Sequence, residues 1–314
     1  MGRTAIALYA SAVRKRCKAF ETESRQMTVA VTKVGQKIIR ARKDSAGWLI
    51  SIADSAYREA ILRLKPDWFC FFFNLRARLG RKDVRFRYDR GRDVFVANSA
   101  RYTRQFQARY QNYNTYRNGL AERGISLGRE YLCNSIPFAD GDVVVDCGAN
   151  VGDLKIYFEE RKLQVDYIAV EPSPVEFSCL QANVAPSRAY NIGLWSEDGT
   201  LEFYVSSRNA DSSLIDPGEY TRKTTIQTRR LDSLIDCKIK LLKIEAEGAE
   251  PEVLIGCEKI LGKVDFISAD LGFERGLAQE STLPVVTNFL LKHNFEMIEL
   301  SETRVVALYK RVDL

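Results

Sequence analysis

The stretch VVVDCGANVGDLKIYF (143–158) limits most sharply what this chain can fold into. An apolar run suited to a buried strand ends in an acid. Small residues, an Asn and a second glycine follow, and then a run that can start a helix. Strand, tight turn and helix in that order open a doubly wound α/β sheet, in which a ligand lies at the carboxyl ends of the strands beside the first turn. Gly148 suits the tight turn, and Gly152 lets the next helix pack close. Asp146, Gly148, Asn150 and Gly152 are therefore expected beside a ligand. The spacing is G-x-x-x-G, not the G-x-G-x-x-G that seats a pyrophosphate on a helix N-terminus. The missing phosphate-binding glycine pattern excludes a nicotinamide dehydrogenase, and an acid at the strand end would repel a diphosphate. It suits a cation, or an amino-acid moiety with an ammonium group.

The rest of the chain supports the same architecture. Strands are expected at 143–147, 166–170, 188–192, 240–246 and 264–269, and helices at 151–161, 174–184, 249–260 and 282–293. A β-rich stretch covers 200–206 and 224–230. The alternation means a parallel sheet with right-handed crossovers. The last two strands, 295–300 and 304–310, are joined by SET, short enough only for an antiparallel hairpin. Three domains are expected: a basic, mainly helical extension with a small hairpin at 1–100, a helical lid or entrance segment at 101–140, and the ligand-binding α/β domain at 141–314.

Charge divides the chain unevenly. Residues 1–100 hold 22 Lys/Arg against 9 Asp/Glu, and residues 101–314 hold 25 against 32. A basic extension before an acidic body suggests an anionic partner or peripheral contact with a membrane surface. In WFCFFF (68–73) five aromatics crowd six residues. They suit either a core helix docked on the main domain or a membrane-surface or partner-binding helix. The Tyr- and Arg-rich 101–136 carries no nucleic-acid recognition motif, so no nucleic-acid partner is expected. No span long enough for a membrane and no signal peptide is apparent, and a cytoplasmic protein is expected. The seven cysteines are odd in number and form no C-x-x-C, which fits reduced buried thiols and no metal site. His293 is the only histidine and reads as a plain helix C-terminal residue. A base other than histidine is then needed for any proton transfer.

The second strand ends in IAVEP, placing Glu171 where an acid accepts both ribose hydroxyls of a nucleoside. An acid and glycine turn followed by this second acid fits S-adenosylmethionine, which carries a ribose, an ammonium, a carboxylate and a sulfonium but no phosphate. In order along the chain, VVVDCGANVGD, YIAVEPSPVEFSCLQANV, NIGLWSEDGTLEF, DSSLI, TRRLDSL and LLKIEAEGAEPEVLIG together resemble the FkbM family of S-adenosylmethionine-dependent methyltransferases. The resemblance covers roughly 115–310. A parallel sheet closed by an antiparallel hairpin is likewise the fold of the Rossmann-like methyltransferases.

The resemblance implies cofactor contacts at Asp146, Gly148, Ala149, Asn150 and Gly152, with Glu171 on the ribose and Asn191, Gly193 and Trp195 near the adenine. It places Lys243, Glu245 and Glu247 at the end of the fourth strand, facing the methyl donor. The family pattern more often has Asp where this chain has Glu245. ISADLGFERG (267–276) resembles the matching strand end of members acting on surface glycans. An alcohol needs a base. Glu245 is the first candidate, Glu247 the second and Asp270 the third, with Lys243 to orient a carboxylate or the acceptor oxygen. Glu247 equally suits the start of the next helix. Arg275 suits an anionic or sugar acceptor, or an ion pair with Glu274. The implied activity is O-methylation of a hydroxyl on a sugar, glycan or related natural product. An N-methyltransferase, or a non-catalytic binding module with a membrane- or partner-binding N-terminus, are the other readings.

Overall fold

A computed structural model describes residues 57–206, 212–301 and 304–312. The expectations for residues 1–56 lie outside these. The chain divides into Met1–Lys65 and Pro66–Leu314. The division falls after Lys65, whereas the sequence suggested a boundary near 100. The segment from Pro66 is joined to the α/β body through the backbone of Gln105, whose amide donates to Asn183 Oδ1 at 2.7 Å and whose carbonyl accepts from Asn183 Nδ2 at 2.9 Å.

That segment is built on α1 (Pro66–Leu79) and an antiparallel sheet of β1 (Arg85–Asp89), β2 (Val94–Asn98) and β3 (Thr103–Phe106). The expected hairpin is thus two strands of a three-stranded meander. One face of α1 buries Phe69, Cys70 and Phe73, and Phe73 stacks on Phe86 with ring centroids 3.5 Å apart. Trp68, Phe71, Leu75 and Leu79 lie on the opposite, exposed face. The helices α2 (Arg109–Tyr116) and α3 (Leu120–Glu130) follow.

The main sheet alternates strands and helices: β4 (Val143–Cys147), α4 (Lys155–Glu160), β5 (Asp166–Val170), α5 (Pro174–Val184) and β6 (Arg188–Tyr190). A small side sheet comprises β7 (Gly193–Leu194), β8 (Gly199–Val205) and β9 (Arg222–Arg229), and the short α6 (Leu231–Leu234) returns the chain. Then come β10 (Ile239–Ile244), α7 (Glu250–Ile255), β11 (Val264–Asp270), the pair β12 (Phe273–Arg275) and β13 (Glu280–Ser281), α8 (Leu283–Lys292), β14 (Phe295–Leu300) and β15 (Val306–Arg311). The seven strands run in the order β14-β15-β11-β10-β4-β5-β6. The neighbours from β11 to β6 are parallel, and β15 is antiparallel to both β11 and β14. This is the Rossmann-like order with its closing antiparallel hairpin, as expected.

Period-two alternation fills a core on each face. Val145, Ile168, Val170, Leu242 and Ile244 point to the face covered by Val253 and Leu254 of α7 and Leu290 of α8. Val144, Tyr167, Ala169 and Leu241 point to the face covered by Leu127, Leu154, Phe158 and Leu180 of the other helical layer. Each such fully buried aliphatic side chain contributes about 1.5–3 kcal/mol. His293 caps the C-terminus of α8, with Nδ1 2.8 Å from the Phe289 carbonyl. The described cysteines are free thiols.

Candidate active site

The chain runs from β4 outward through β5 and β6, then returns to lay β10 on the other side of β4. The connections leaving β4 and β10 go to helices on opposite faces of the sheet, which is where doubly wound sheets leave a crevice. A cavity of about 320 Å³ opens at that point.

The turn after β4 is held by backbone geometry. Gly148 has φ +71°, and a Cβ on it would lie 1.9 Å from the Glu245 carbonyl oxygen. Only glycine lets the β4 and β10 turns meet. The amides of Gly148 and Ala149 both donate to the Val170 carbonyl, each at 3.0 Å. Asn150 is also in the left-handed region, at φ 51°, and its amide donates to Glu171 Oε2 at 2.8 Å. The Ser173 amide donates to Oε1 of the same carboxyl at 2.8 Å. Glu171 is thus fixed by two backbone donors at the mouth of β5. Burial pushes its carboxyl up to about 8, against the pull of those donors.

Beneath the turn lies an ion cluster. Lys243 is only 2% exposed, and its Nζ lies 3.0 Å from Asp146 Oδ1 and 3.1 Å from Glu245 Oε2. The same ammonium donates to the carbonyls of Cys147 (3.1 Å) and Gly148 (2.8 Å) and sits 4.8 Å from the centre of the Tyr131 ring. Tyr167 donates its hydroxyl to Asp146 Oδ2. Asp146 and Lys243 therefore line the floor of the cavity while spending their charge on each other. They shape the turn.

Glu245 is partly exposed and is gripped from three sides. Burial alone would raise its carboxyl, but Lys243, the hydrogen-bonded Tyr131 and Arg304 hold it down at about 2. Arg304 Nη2 lies 3.3 Å from Glu245 Oε1 and also donates to Asp270. Asp270 is 2% exposed and does not line the cavity. Arg304 stands between the two acids, so they do not form an open pair. Burial pushes Asp270 up, with Arg304 opposing.

The acids of the β10 turn are distributed differently from expectation. Glu247 lines the cavity from a left-handed backbone position, φ 49°, and α7 begins three residues later with Ala249 as its N-cap. The turn is organised by Glu250. Its Oε1 accepts the amides of Ala246 (3.0 Å) and Gly248 (3.1 Å), and its Oε2 accepts the Thr282 hydroxyl (2.9 Å). Arg275 pairs with Glu252 at 2.7 Å and donates to the Gly248 carbonyl at 2.5 Å, leaving Glu274 in the cavity wall. Arg275 therefore does not pair with Glu274 and does not line the cavity.

Ala149, Asn150 and Gly193 line the cavity with the residues already named, while Gly152, Asn191 and Trp195 do not. A Cβ on Gly152 would lie 2.4 Å from a Val184 methyl, so this glycine seats the turn on α5. Asn191 donates to the carbonyls of Glu171 (2.8 Å) and Pro172 (3.0 Å) and braces the β5 loop from outside. Ile192, Phe203 and Leu214 form the apolar wall instead. Leu214 lies in DSSLI, which the sequence allowed as a pocket-lining segment or a plain turn, whereas Ile192 and Phe203 carried no local signal. From the other side α2 and α3 contribute Asn112, Thr115, Arg123, Leu127 and Glu130. Asp153 ties these helices to the β4 turn, accepting the Tyr116 hydroxyl at 2.8 Å and Arg123 Nε at 3.4 Å.

Residues 146–297 match the model of the methyltransferase FkbM domain. The matched region, just under half of the chain, is similar to the FkbM methyltransferases. Among curated proteins it is 26% identical over 151 residues to Methyltransferase 1 of Beauveria bassiana, spanning 39% of this chain and 61% of that one. It is 38% identical over 66 residues to the 31-O-demethyl-FK506 methyltransferase FkbM of Streptomyces tacrolimicus, spanning 21% of this chain and 25% of that one. The 2-O-methyltransferase NoeI of Sinorhizobium fredii is 22% identical over 179 residues, spanning 50% and 73%. The chain thus spans about three-fifths of the length of the first curated relative. Among solved structures, the methyltransferase FkbM of Methylobacillus flagellatus superposes with a TM-score of 0.42 at 19% identity, covering 65% of this chain and 54% of that one.

The residues of the cavity fit S-adenosylmethionine. Glu171 offers a fixed carboxyl to ribose hydroxyls, and Ile192, Phe203 and Leu214 offer an apolar slot to a base. Eight Asp and Glu but only three Lys and Arg line the cavity, which favours a ligand carrying sulfonium and ammonium over one carrying phosphates.

Proposed function

We propose that this chain is an S-adenosylmethionine-dependent O-methyltransferase acting on a hydroxyl of a sugar, glycan or related natural product. The observation that carries this reading is the single cavity wall that joins Glu171, the Gly148 turn and the Glu245–Arg304 pair. It gives the methyl donor a seat at β4 and β5 and leaves a polar, hydrogen-bonding end for a hydroxylated acceptor. Two relatives carry O-methyltransferase names, one of them a 2-O-methyltransferase, and these support the choice of oxygen.

When bound, the cofactor supplies an electrophilic methyl on a sulfonium. Glu171 would hold the ribose through its hydroxyls. Lys243 and Asp146 would act as positioning residues that keep the turn closed. Glu245, held ionised, suits an acceptor of hydrogen bonds from sugar hydroxyls or the cofactor ammonium. It is a weak proton acceptor at neutral pH, because efficient general bases have a pKa near the working pH. Alignment of acceptor oxygen and methyl supplies most of the rate, about 7–11 kcal/mol in well-oriented pairs.

The test begins with calorimetric titration of S-adenosylmethionine and S-adenosylhomocysteine into the wild type and Glu171→Ala. It continues with a panel of methyl glycosides and polyols assayed for acceptor-dependent formation of S-adenosylhomocysteine. Binding lost in the variant, with transfer to a hydroxylated acceptor, is the expected result. A wild type that binds neither nucleoside sinks the cofactor assignment, and transfer confined to amine acceptors sinks the O-methyl assignment.

A further inference from the structure

We propose that Glu274, on the β12 strand, is the general base of this site. The proposal rests on the O-methyltransferase reading above. Glu274 lines the cavity together with Glu245 and Arg304. It is the acid in that wall whose charge the fold has left uncommitted. Asp146 is tied to Lys243 and Tyr167, Asp153 to Tyr116 and Arg123, and Glu171 to two backbone amides. Glu245 is tied to Lys243 and Arg304, and Glu130 to Ser126 at 2.9 Å. Among the described residues Glu274 has no hydrogen bond or ion pair drawn to its side chain, since the neighbouring Arg275 is occupied by Glu252. It sits on the short β12–β13 pair, between Phe273, which pairs with Ser281, and Arg275, which pairs with Glu280.

Its surroundings suit a proton acceptor. The groups facing it are Asp270 at the end of β11, Glu250 at the start of α7, Glu245 after β10 and Arg304 before β15. Burial first, and then the three negative neighbours, push the carboxyl up to about 7, with Arg304 pulling the other way. A base near neutrality contributes about a hundred- to ten-thousand-fold. In the step assigned to it, the hydroxyl proton passes to a Glu274 oxygen. The hydroxyl oxygen's electron pair forms the new bond to the methyl carbon. The electrons of the carbon–sulfur bond stay on sulfur, which loses its positive charge. Arg304 and Glu245 would orient the acceptor while the proton leaves.

Two measurements test this. In protein saturated with S-adenosylhomocysteine, the carbon-13 carboxyl resonance that disappears in Glu274→Gln is followed against pH. Titration near 7 supports the assignment, and titration below about 5 overturns it. With the glycoside or polyol acceptor, Glu274→Gln is expected to lower kcat at least about a hundredfold and abolish its rise through neutral pH. Its S-adenosylhomocysteine affinity is expected to stay within about twofold of wild type, because the substitution keeps the shape of the wall. Glu274→Gln turning over at the wild-type rate overturns the assignment. So does Glu245→Gln, instead, removing the neutral inflection. Loss of S-adenosylhomocysteine binding by the wild type itself marks failure of the cofactor reading, and the base assignment falls with it. If the wild type binds but methylates nothing in the panel, the O-methyl reading fails on its own, and the resonance titration still decides the state of Glu274.

Discussion

Four residues around the cavity, Gly148, Lys243, Glu171 and Glu245, show how much of the site is decided atom by atom. Alanine at Gly148 would meet the Glu245 carbonyl at 1.9 Å and a backbone that L-residues rarely adopt. Gly148→Ala is expected to destabilise the protein by about 1–3 kcal/mol or more and to remove nucleoside binding, as urea unfolding and calorimetry would show. Lys243→Met strands the Asp146 carboxylate in the core. A loss of about 3–5 kcal/mol is expected, with the Asp146→Asn/Lys243→Met double variant losing much less than the two singles combined. Glu171 and Glu245 have opposite pH behaviour. Glu245 lies near 2 in the fold against 4.5 unfolded, so it stabilises above about 4.5 and that support is lost as pH falls toward 2. Glu171 lies near 8, so its burial is tolerated below about 4.5 and opposes folding increasingly as pH rises through 8. Ribose hydroxyls donated to Glu171 favour its ionised form. Nucleoside binding is therefore expected to release a proton and to tighten as pH rises from about 5 to 8. Calorimetry in buffers of different ionisation enthalpy reads this directly, and an unchanged apparent enthalpy across buffers would count against it.

At the scale of elements, the cavity depends on how closely α3 lies on α4. A Cβ on Gly124 would lie 2.6 Å from Ile156, and one on Gly128 would enter the Tyr157 ring at 2.0 Å. These two helices meet because α3 presents hydrogen atoms where other residues carry methyls. Gly128→Ala is expected to push α3 off α4 and carry Tyr131, Glu130 and Arg123 with it. The expected cost is about 1–3 kcal/mol in urea unfolding, together with weaker nucleoside binding. A variant with unchanged stability and affinity would show that α3 can shift without disturbing the site. The small elements matter as much. β12 brings Glu274 to the cavity wall, and the side sheet brings Phe203.

For the whole molecule, the sheet order places the crevice between β4 and β10 and makes binding a stabilising event for the fold as a whole. S-adenosylhomocysteine at a hundred times its Kd is expected to add about 2.7 kcal/mol, which raises Tm by about 5–10 °C for a domain of this size. The Glu171→Ala variant should show little of that shift at the same concentration, in thermal unfolding followed by circular dichroism. Much of this architecture was legible in advance because it rests on local patterns. The apolar runs of β4, β5, β10 and β11, the glycine turn and the acid after β5 each announce themselves within a few residues. The motif around Lys243 also contained Glu250, yet its side-chain role in ordering the turn appears only where Ala246, Gly248 and Thr282 converge on it. Arg304 and Tyr131 had no local signal at all. Sequence alone determined the doubly wound class and the tight glycine turn after β4, because strand period and turn chemistry act between near neighbours. Tertiary structure alone decided that Asp146 and Lys243 spend their charge on each other, that Glu245 is held as a weak base and that Glu274 is left uncommitted, because burial and pairing depend on groups that meet only after the chain has folded.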